Sequence, residues 1–411
     1  MMPAGDADTL EIVRGFSLKD LPDSFYADPY PTYRALQDGD PIHRMADGSL
    51  FLTRHRDLEA IYKDTARFSS DKKIEFAPKY GTGSLLYQHH TTSLVFNDPP
   101  LHTRVRRLIA GALNPRAIAE MEPALVALVD RLLDDMEAKG HADLIADFAA
   151  AIPVEVIGNL LAVPHADRGP LRGWSLAILG ALEPVLSPEV QSAGERAVDE
   201  FLAYLKQLVT ERRRNPGDSE RDVLTRLIQG ETNGERLSEI ELLQNCIFVL
   251  NAGHETTSNL IGNGLELMLR YPGERQRLID EPSLIKPAIE EFLRFESSNQ
   301  LGNRRVTQDT TLDEVVIPEG TLITLCIGAA NRDPAQFENP DRLDIGRAPN
   351  RHLAFASGPH ACVGLNLARL EGRIAIGRFM ARFPRFAAAG LAQRARRARF
   401  RGFTSLPVTL T

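Results

Sequence analysis

Cys362 is the residue of this sequence best placed to do chemistry. It closes the run His352-Leu353-Ala354-Phe355-Ala356-Ser357-Gly358-Pro359-His360-Ala361-Cys362-Val363-Gly364. The next residues, Leu365 to Glu371, have high helix propensity, so the loop delivers Cys362 to the start of a helix. Open backbone N–H groups and the positive end of the helix dipole favour thiolate over thiol there. A thiolate so placed is a nucleophile or a metal ligand, and an inert buried cysteine is the ordinary alternative. Cys246 and Cys326 lie too far off in sequence to complete a disulfide framework or a zinc pair.

Three other stretches carry residues in suggestive spacing. After Pro99-Pro100, which open a helix, His102 and Arg106 are four apart and share one face. Two donors on one face suit a carboxylate ligand; a solvated basic helix start is the plain alternative. Between Leu243 and Leu260 a strongly apolar helical pattern is interrupted by Ala252-Gly253-His254-Glu255-Thr256-Thr257. A glycine and a buried acid both cost stability in a core helix, and such broken rules point to function. Glu291 and Arg294 are three apart and can pair on one helix face, a weak signal by itself. His89-His90 offers a metal pair, although an ordinary polar loop explains it better.

The Cys362 stretch resembles the proximal haem loop of the cytochrome P-450 superfamily, the haem-thiolate monooxygenases. The match rests on Phe355, Gly358, His360, Cys362 and Gly364, with Ala356 standing where glycine is usual. Ala adopts positive φ only at a cost, so the loop is expected to bend slightly differently there. The other stretches match in the same order. The resemblance implies a mainly α fold with a small β-rich lobe, a triangular helical prism around a buried haem b. It makes Cys362 the axial thiolate ligand of the haem iron and gives the two propionates to His102, Arg106, Arg304 and His360, with His352 a weaker choice. Glu255 and Thr256 become the acid–alcohol pair that relays protons, Gly253 leaves room for O₂, and Glu291–Arg294 is a buried structural pair. Arg305, next to Arg304 on a strand, faces the other side. Ser297-Ser298-Asn299-Gln300 is polar where the family is commonly apolar. If it lines the pocket, the substrate carries polar groups; the pocket candidates themselves mix apolar Leu85, Leu86, Phe248, Leu301 and Phe403 with polar Asn251, Asn299 and Thr404 and suit an aromatic acid, terpenoid, steroid or polyketide equally.

The implied activity is insertion of one oxygen atom from O₂ into a small organic molecule, by hydroxylation or dealkylation. No flavin or iron–sulfur segment follows the last hairpin, so electrons are expected from a separate ferredoxin with its reductase. Arg104, Arg107, Arg369 and Arg373 are candidates for the docking patch of that donor. A peroxide-driven enzyme, a haem protein without turnover, and a zinc protein using Cys362 and His360 are the competing readings.

The elements that must position these residues are those of an ordinary globular chain, 43% hydrophobic and 25% charged over 411 residues. No apolar run of about 18 residues exists to cross a membrane. The first residues are too acidic for a signal peptide. The net charge of −7 argues against generic nucleic-acid binding. A monomer in a reducing cytoplasm is expected. Residues 1–19 read as a loose tail and 20–411 as a single domain. Helices are expected from the stretch Asp28 to Leu36, with Pro31 near the first turn, from Asp57 to Asp64, from Pro123 to Lys139, from Leu144 to Leu161, from Val190 to Arg214, from Leu284 to Phe295 and from Leu365 to Phe383. Residues from about Phe68 to Val95 read as irregular, and the arginines from Arg394 to Arg401 as a solvated face.

Overall fold

The computed structural model of the chain describes residues 4–219, 222–232 and 235–410; residues 1–3 of the expected tail lie outside the described residues. Helices dominate and the sheets are small. The chain divides into two compact units. One holds the stretch up to Ser70, Gly262–Cys362 and Gly390–Leu406; the other holds Asp71–Ile261, Val363–Ala389 and the residues from Pro407 on.

The first unit is organised by a five-stranded sheet in the order Ile42–Arg44, Leu50–Leu52, Leu322–Cys326, Leu301–Val306 and Phe68–Ser69. The pairing is antiparallel except between Leu50–Leu52 and Leu322–Cys326. The two-residue period of a strand explains its two apolar faces. Leu50, Leu52, Ile323, Leu325 and Val306 enter one cluster with Leu58, Ile61 and Tyr62. Phe51, Cys326 and Leu301 enter the other, with Phe25, Tyr33 and Leu36. Val13 belongs to this second cluster, so Ala4–Gly15 is a helix anchored to the core where a loose tail was expected. The arginines near the end are not a solvated face either. Arg401 is buried, bonded to Glu296 and to the carbonyls of Tyr26 and Ala27, and Arg399 donates to Leu301 O at 2.8 Å. Burial alone would raise the Glu296 carboxyl, but Arg401, Arg394 and Arg332 around it hold it well below the usual carboxylate range.

The second unit is a helical assembly with a three-stranded sheet, His141–Asp143 paired to Pro407–Thr409 and that strand to Ala387–Ala388. Its helices include Leu101–Ala112, Pro115–Lys139, Ala151–Leu160, Leu171–Gly180, Pro188–Arg214 and Leu365–Arg382. The Pro115–Lys139 helix begins eight residues before the expected Pro123, because the Asn114 side chain accepts from Arg116 N and Ala117 N and caps it. The stretch expected to be irregular holds two short helices, Lys73–Tyr80 and Leu85–Thr92. Gly81 at φ +82° ends the first, and Ser84, accepting from Tyr87 N, opens the second. Glu239–Arg270 is one uninterrupted helix. Among the described residues no helix is long and apolar enough to cross a membrane.

Glu371 is buried in the Leu365–Arg382 helix, with Oε2 unbonded, and burial pushes its carboxyl up to about 8. An acid whose folded pKa lies above its unfolded one holds its proton in the native state while the unfolded chain has lost it. Stability should therefore fall as pH rises from about 5 to about 8 and level off above that. Glu371→Gln should flatten this slope and stabilise the protein at pH 8, as read from denaturant midpoints across that range.

Candidate active site

The first unit builds the cysteine loop. Glu291 and Arg294 lie on the Ile285–Phe295 helix and pair at 2.8 Å with both side chains fully buried. Arg294 also donates to the carbonyls of Asn331 at 2.9 Å, Pro340 at 2.8 Å and Arg342 at 3.3 Å. Glu291 accepts from Asp344 N, Arg347 Nε and Asn350 Nδ2. The pair thus pins the irregular stretch between Asn331 and Asn350. Asn331 hands the constraint on, its Oδ1 accepting from Leu353 N at 2.6 Å. Ala356 N then bonds Leu353 O at 2.8 Å, and Cys362 N bonds Phe355 O at 2.9 Å.

Two left-handed residues shape this loop, Ala356 at φ +56° and Gly358 at φ +67°. Gly358 has no substitute, since a Cβ there would lie 2.4 Å from Tyr62 O. Ala356 holds the left-handed conformation itself, at a cost of roughly 1 kcal/mol. Its methyl group packs against the apolar cluster of Leu50 and Leu52.

The three cysteines differ sharply. Cys246 and Cys326 are buried, and burial pushes each thiol up to about 12. Cys362 is only partly covered and stands three residues before the Leu365–Arg382 helix. His360 ends the short 3-10 turn Gly358–His360 in the same loop. Arg304 is buried on its strand, its guanidinium 5.1 Å from the centre of the Tyr62 ring and Nη1 2.8 Å from Asn303 O. His352 is occupied elsewhere: Ala354 N donates to its Nδ1 at 3.2 Å, so Nε2–H faces Glu290 Oε2 at 3.1 Å. Ser297 and Gln300 are also spent on the fold, Ser297 Oγ donating to Leu293 O and Gln300 Nε2 to Ser297 O. Ser298 Oγ, Asn299 Oδ1 and Gln300 Oε1 are nevertheless buried with no bond.

The second unit carries the other candidates. His102 is buried in the first turn of Leu101–Ala112 and Arg106 follows one turn later. Arg104, expected to be available to a partner, is instead bonded to Glu241, and Arg373 bonds Glu122 at 3.1 Å. Arg107 is exposed. On the Glu239–Arg270 helix Glu255 is buried, and Thr256 Oγ1 donates to Ala252 O at 2.8 Å. Gly253 does not provide space for a small molecule. A Cβ there would lie 2.5 Å from Ile157 Cδ1, so this glycine lets the helix pack closely on Ala151–Leu160. Ala252 is the residue with an open surface, exposed although Asn251, His254 and Glu255 around it are buried.

The residues fit a haem. A partly covered thiol on a braced loop is a suitable donor to a haem iron. They do not fit a zinc site, since among the described residues no group of three metal-ligating side chains exists. Neither His89 nor His90 belongs to such a group. The His90 ring sits among Phe76, Tyr80 and Phe96, with centroids 5.5–5.6 Å away. His89 is joined to Gln244 and Asn251, a network for which the sequence signal is two amides seven residues apart on one helix face.

Comparison with known proteins identifies the family. A family model described as Cytochrome P450 matches residues 177–389. The chain is 35% identical over 390 residues to the biotin biosynthesis cytochrome P450 of Bacillus subtilis (strain 168), covering 94% of this chain and 97% of that one. It is 37% identical over 395 residues to the vitamin D(3) 25-hydroxylase of Pseudonocardia autotrophica, covering 94% and 95%. A crystal structure of P450BioI in complex with hexadec-9Z-enoic acid ligated acyl carrier protein superposes with a TM-score of 0.89 at 34% identity, covering 95% of this chain and all of that one.

The Gly253 contact is testable. Gly253→Ala should destabilise the protein by about 1 kcal/mol, because overpacking outweighs the gain in helix propensity. With Ile157→Val already present, which removes the clashing methyl, the same change should cost nothing or stabilise. A double-mutant cycle on denaturant midpoints measures the coupling.

Proposed function

This chain belongs to the cytochrome P450 family, and we propose that it is a P450 whose Cys362 holds the haem and whose substrate is a small, largely apolar organic molecule. The family membership makes it a monooxygenase carrying haem b on a cysteine thiolate. The observation that carries the assignment to Cys362 is the contrast among the cysteines: two are buried with raised thiol pKa values, and one is partly covered on a braced loop.

When bound, the haem supplies activation of O₂ for insertion of one oxygen atom into a C–H bond. The protein's own residues do the rest. His102, Arg106, Arg304 and His360 would hold the propionates by charge-assisted hydrogen bonds. The N–H groups following Cys362 would temper the charge on its sulfur. Glu255 would supply a proton and the Thr256 hydroxyl, which here donates to Ala252 O, would pass it on. The buried surroundings of Glu255 keep bulk water from short-circuiting that transfer.

Hydroxylation is the favoured outcome, in line with the hydroxylase among its relatives. Electrons would come from a ferredoxin and its reductase, with exposed Arg107 on the Leu101–Ala112 helix a contributor to docking. A peroxide-driven enzyme has no use for the Glu255–Thr256 pair, and its presence favours O₂.

Thr256→Ala should keep consuming reductant and O₂ at a rate near wild type while product formation drops about tenfold or more and hydrogen peroxide accumulates. Oxygen uptake, peroxide and product are measured together in one reconstituted reaction. Full coupling of uptake to product in that variant would contradict the assigned relay.

A further inference from the structure

Gln244 and Asn251 are buried on the Glu239–Arg270 helix, seven residues and so about two turns apart. The Leu85–Thr92 helix places His89, also buried, against both. His89 Nδ1 is 2.9 Å from Gln244 Oε1, and His89 Nε2 is 3.3 Å from Asn251 Nδ2. Burial lowers the imidazole pKa to about 4, so the ring is neutral and one nitrogen donates while the other accepts. The bonding then has one consistent reading: Nδ1–H donates to Gln244 Oε1, and Nε2 accepts from Asn251 Nδ2–H. This leaves Asn251 Oδ1 and Gln244 Nε2, both buried and both without a protein partner.

A fold does not leave a buried amide oxygen unbonded without penalty; the loss is comparable to that of a hydrogen bond. The location says what it is for. Asn251 lies one turn before Glu255, and residues four apart share a helix face. Gly253, against Ile157, marks the opposite side. Half-buried Phe248 and exposed Ala252 lie together on one side of Asn251.

Resting on the monooxygenase reading above, we propose that Asn251 determines specificity, its Oδ1 accepting a hydrogen bond from a hydroxyl group of an otherwise apolar substrate. His89 and Gln244 are positioning residues that hold the amide in this orientation. The network carries no charge, so it offers no counter-ion to a carboxylate. Reversing the His89 tautomer would turn both amides together and present Asn251 Nδ2 instead. A hydroxyl group, which both donates and accepts, is complementary to either arrangement.

The test uses the haem-loaded full chain and matched probe pairs: testosterone with androst-4-en-3-one, and 1-adamantanol with adamantane. Binding is read from the spin-state change in the visible spectrum. Wild type should bind the alcohol of a pair about tenfold more tightly than its deoxy partner, the usual worth of satisfying a buried acceptor. Asn251→Leu should bring the ratio close to one by weakening the alcohol while leaving the hydrocarbon as tight or tighter. His89→Phe should lower the ratio only in part, since the acceptor remains but is no longer oriented. A wild-type ratio near one in both pairs, no binding of either alcohol, or an undiminished ratio in Asn251→Leu overturns the proposal. Failure of the underlying reading is distinct, because the protein would then show no haem absorption before any probe is added.

Discussion

The ion pair between Glu291 and Arg294 is the constraint on which the cysteine loop depends. Both side chains are fully buried, where two charges recover their desolvation only if every remaining donor and acceptor is satisfied. Here they are satisfied by backbone from Asn331 to Asp344 and by the side chains of Arg347 and Asn350. Removing one partner strands the other and costs about 3–5 kcal/mol. The consequence is order in a long segment that has little regular structure of its own. From Asn331 the constraint passes to Leu353, then through Ala356 and Phe355 to Cys362 N.

That bracing also explains how the loop tolerates its own strain. A left-handed alanine is unfavourable, yet Ala356 sits in that region, its methyl group packed against apolar neighbours that recover part of the cost. Gly358 cannot be replaced because the Tyr62 carbonyl occupies the place of a side chain. A sulfur held this firmly can be partly open to its surroundings without being mobile. Cys246 and Cys326, which are buried and whose thiols are pushed up to about 12, lie at the other extreme.

What resides in local spacing was legible in the sequence: the loop that delivers Cys362 to a helix start, and the buried pair at positions 291 and 294. Long helices with one apolar face were legible for the same reason. What was not legible depends on partners distant in sequence. Arg401 reads as a solvated cation until Glu296 is seen beside it. Gly253 reads as room for a small molecule until Ile157 is seen across from it. Arg104 reads as available until Glu241 is found against it. The two short helices between Lys73 and Thr92 escaped because their signals are single residues, Gly81 and Ser84, in a stretch without clear periodicity. The His89 network could not be read at all, since a histidine's role follows from which amides face its two nitrogens.

The central claim is that the sulfur of Cys362, and no other in the chain, bonds the haem iron. The most direct measurement is the absorption of the reduced carbon-monoxide adduct in Cys362→Ser, set beside Cys246→Ser and Cys326→Ser. The account predicts that the red-shifted Soret band of a thiolate-ligated haem is present in the wild type and in the latter two variants and is lost in Cys362→Ser alone. Persistence of that band in Cys362→Ser would contradict it.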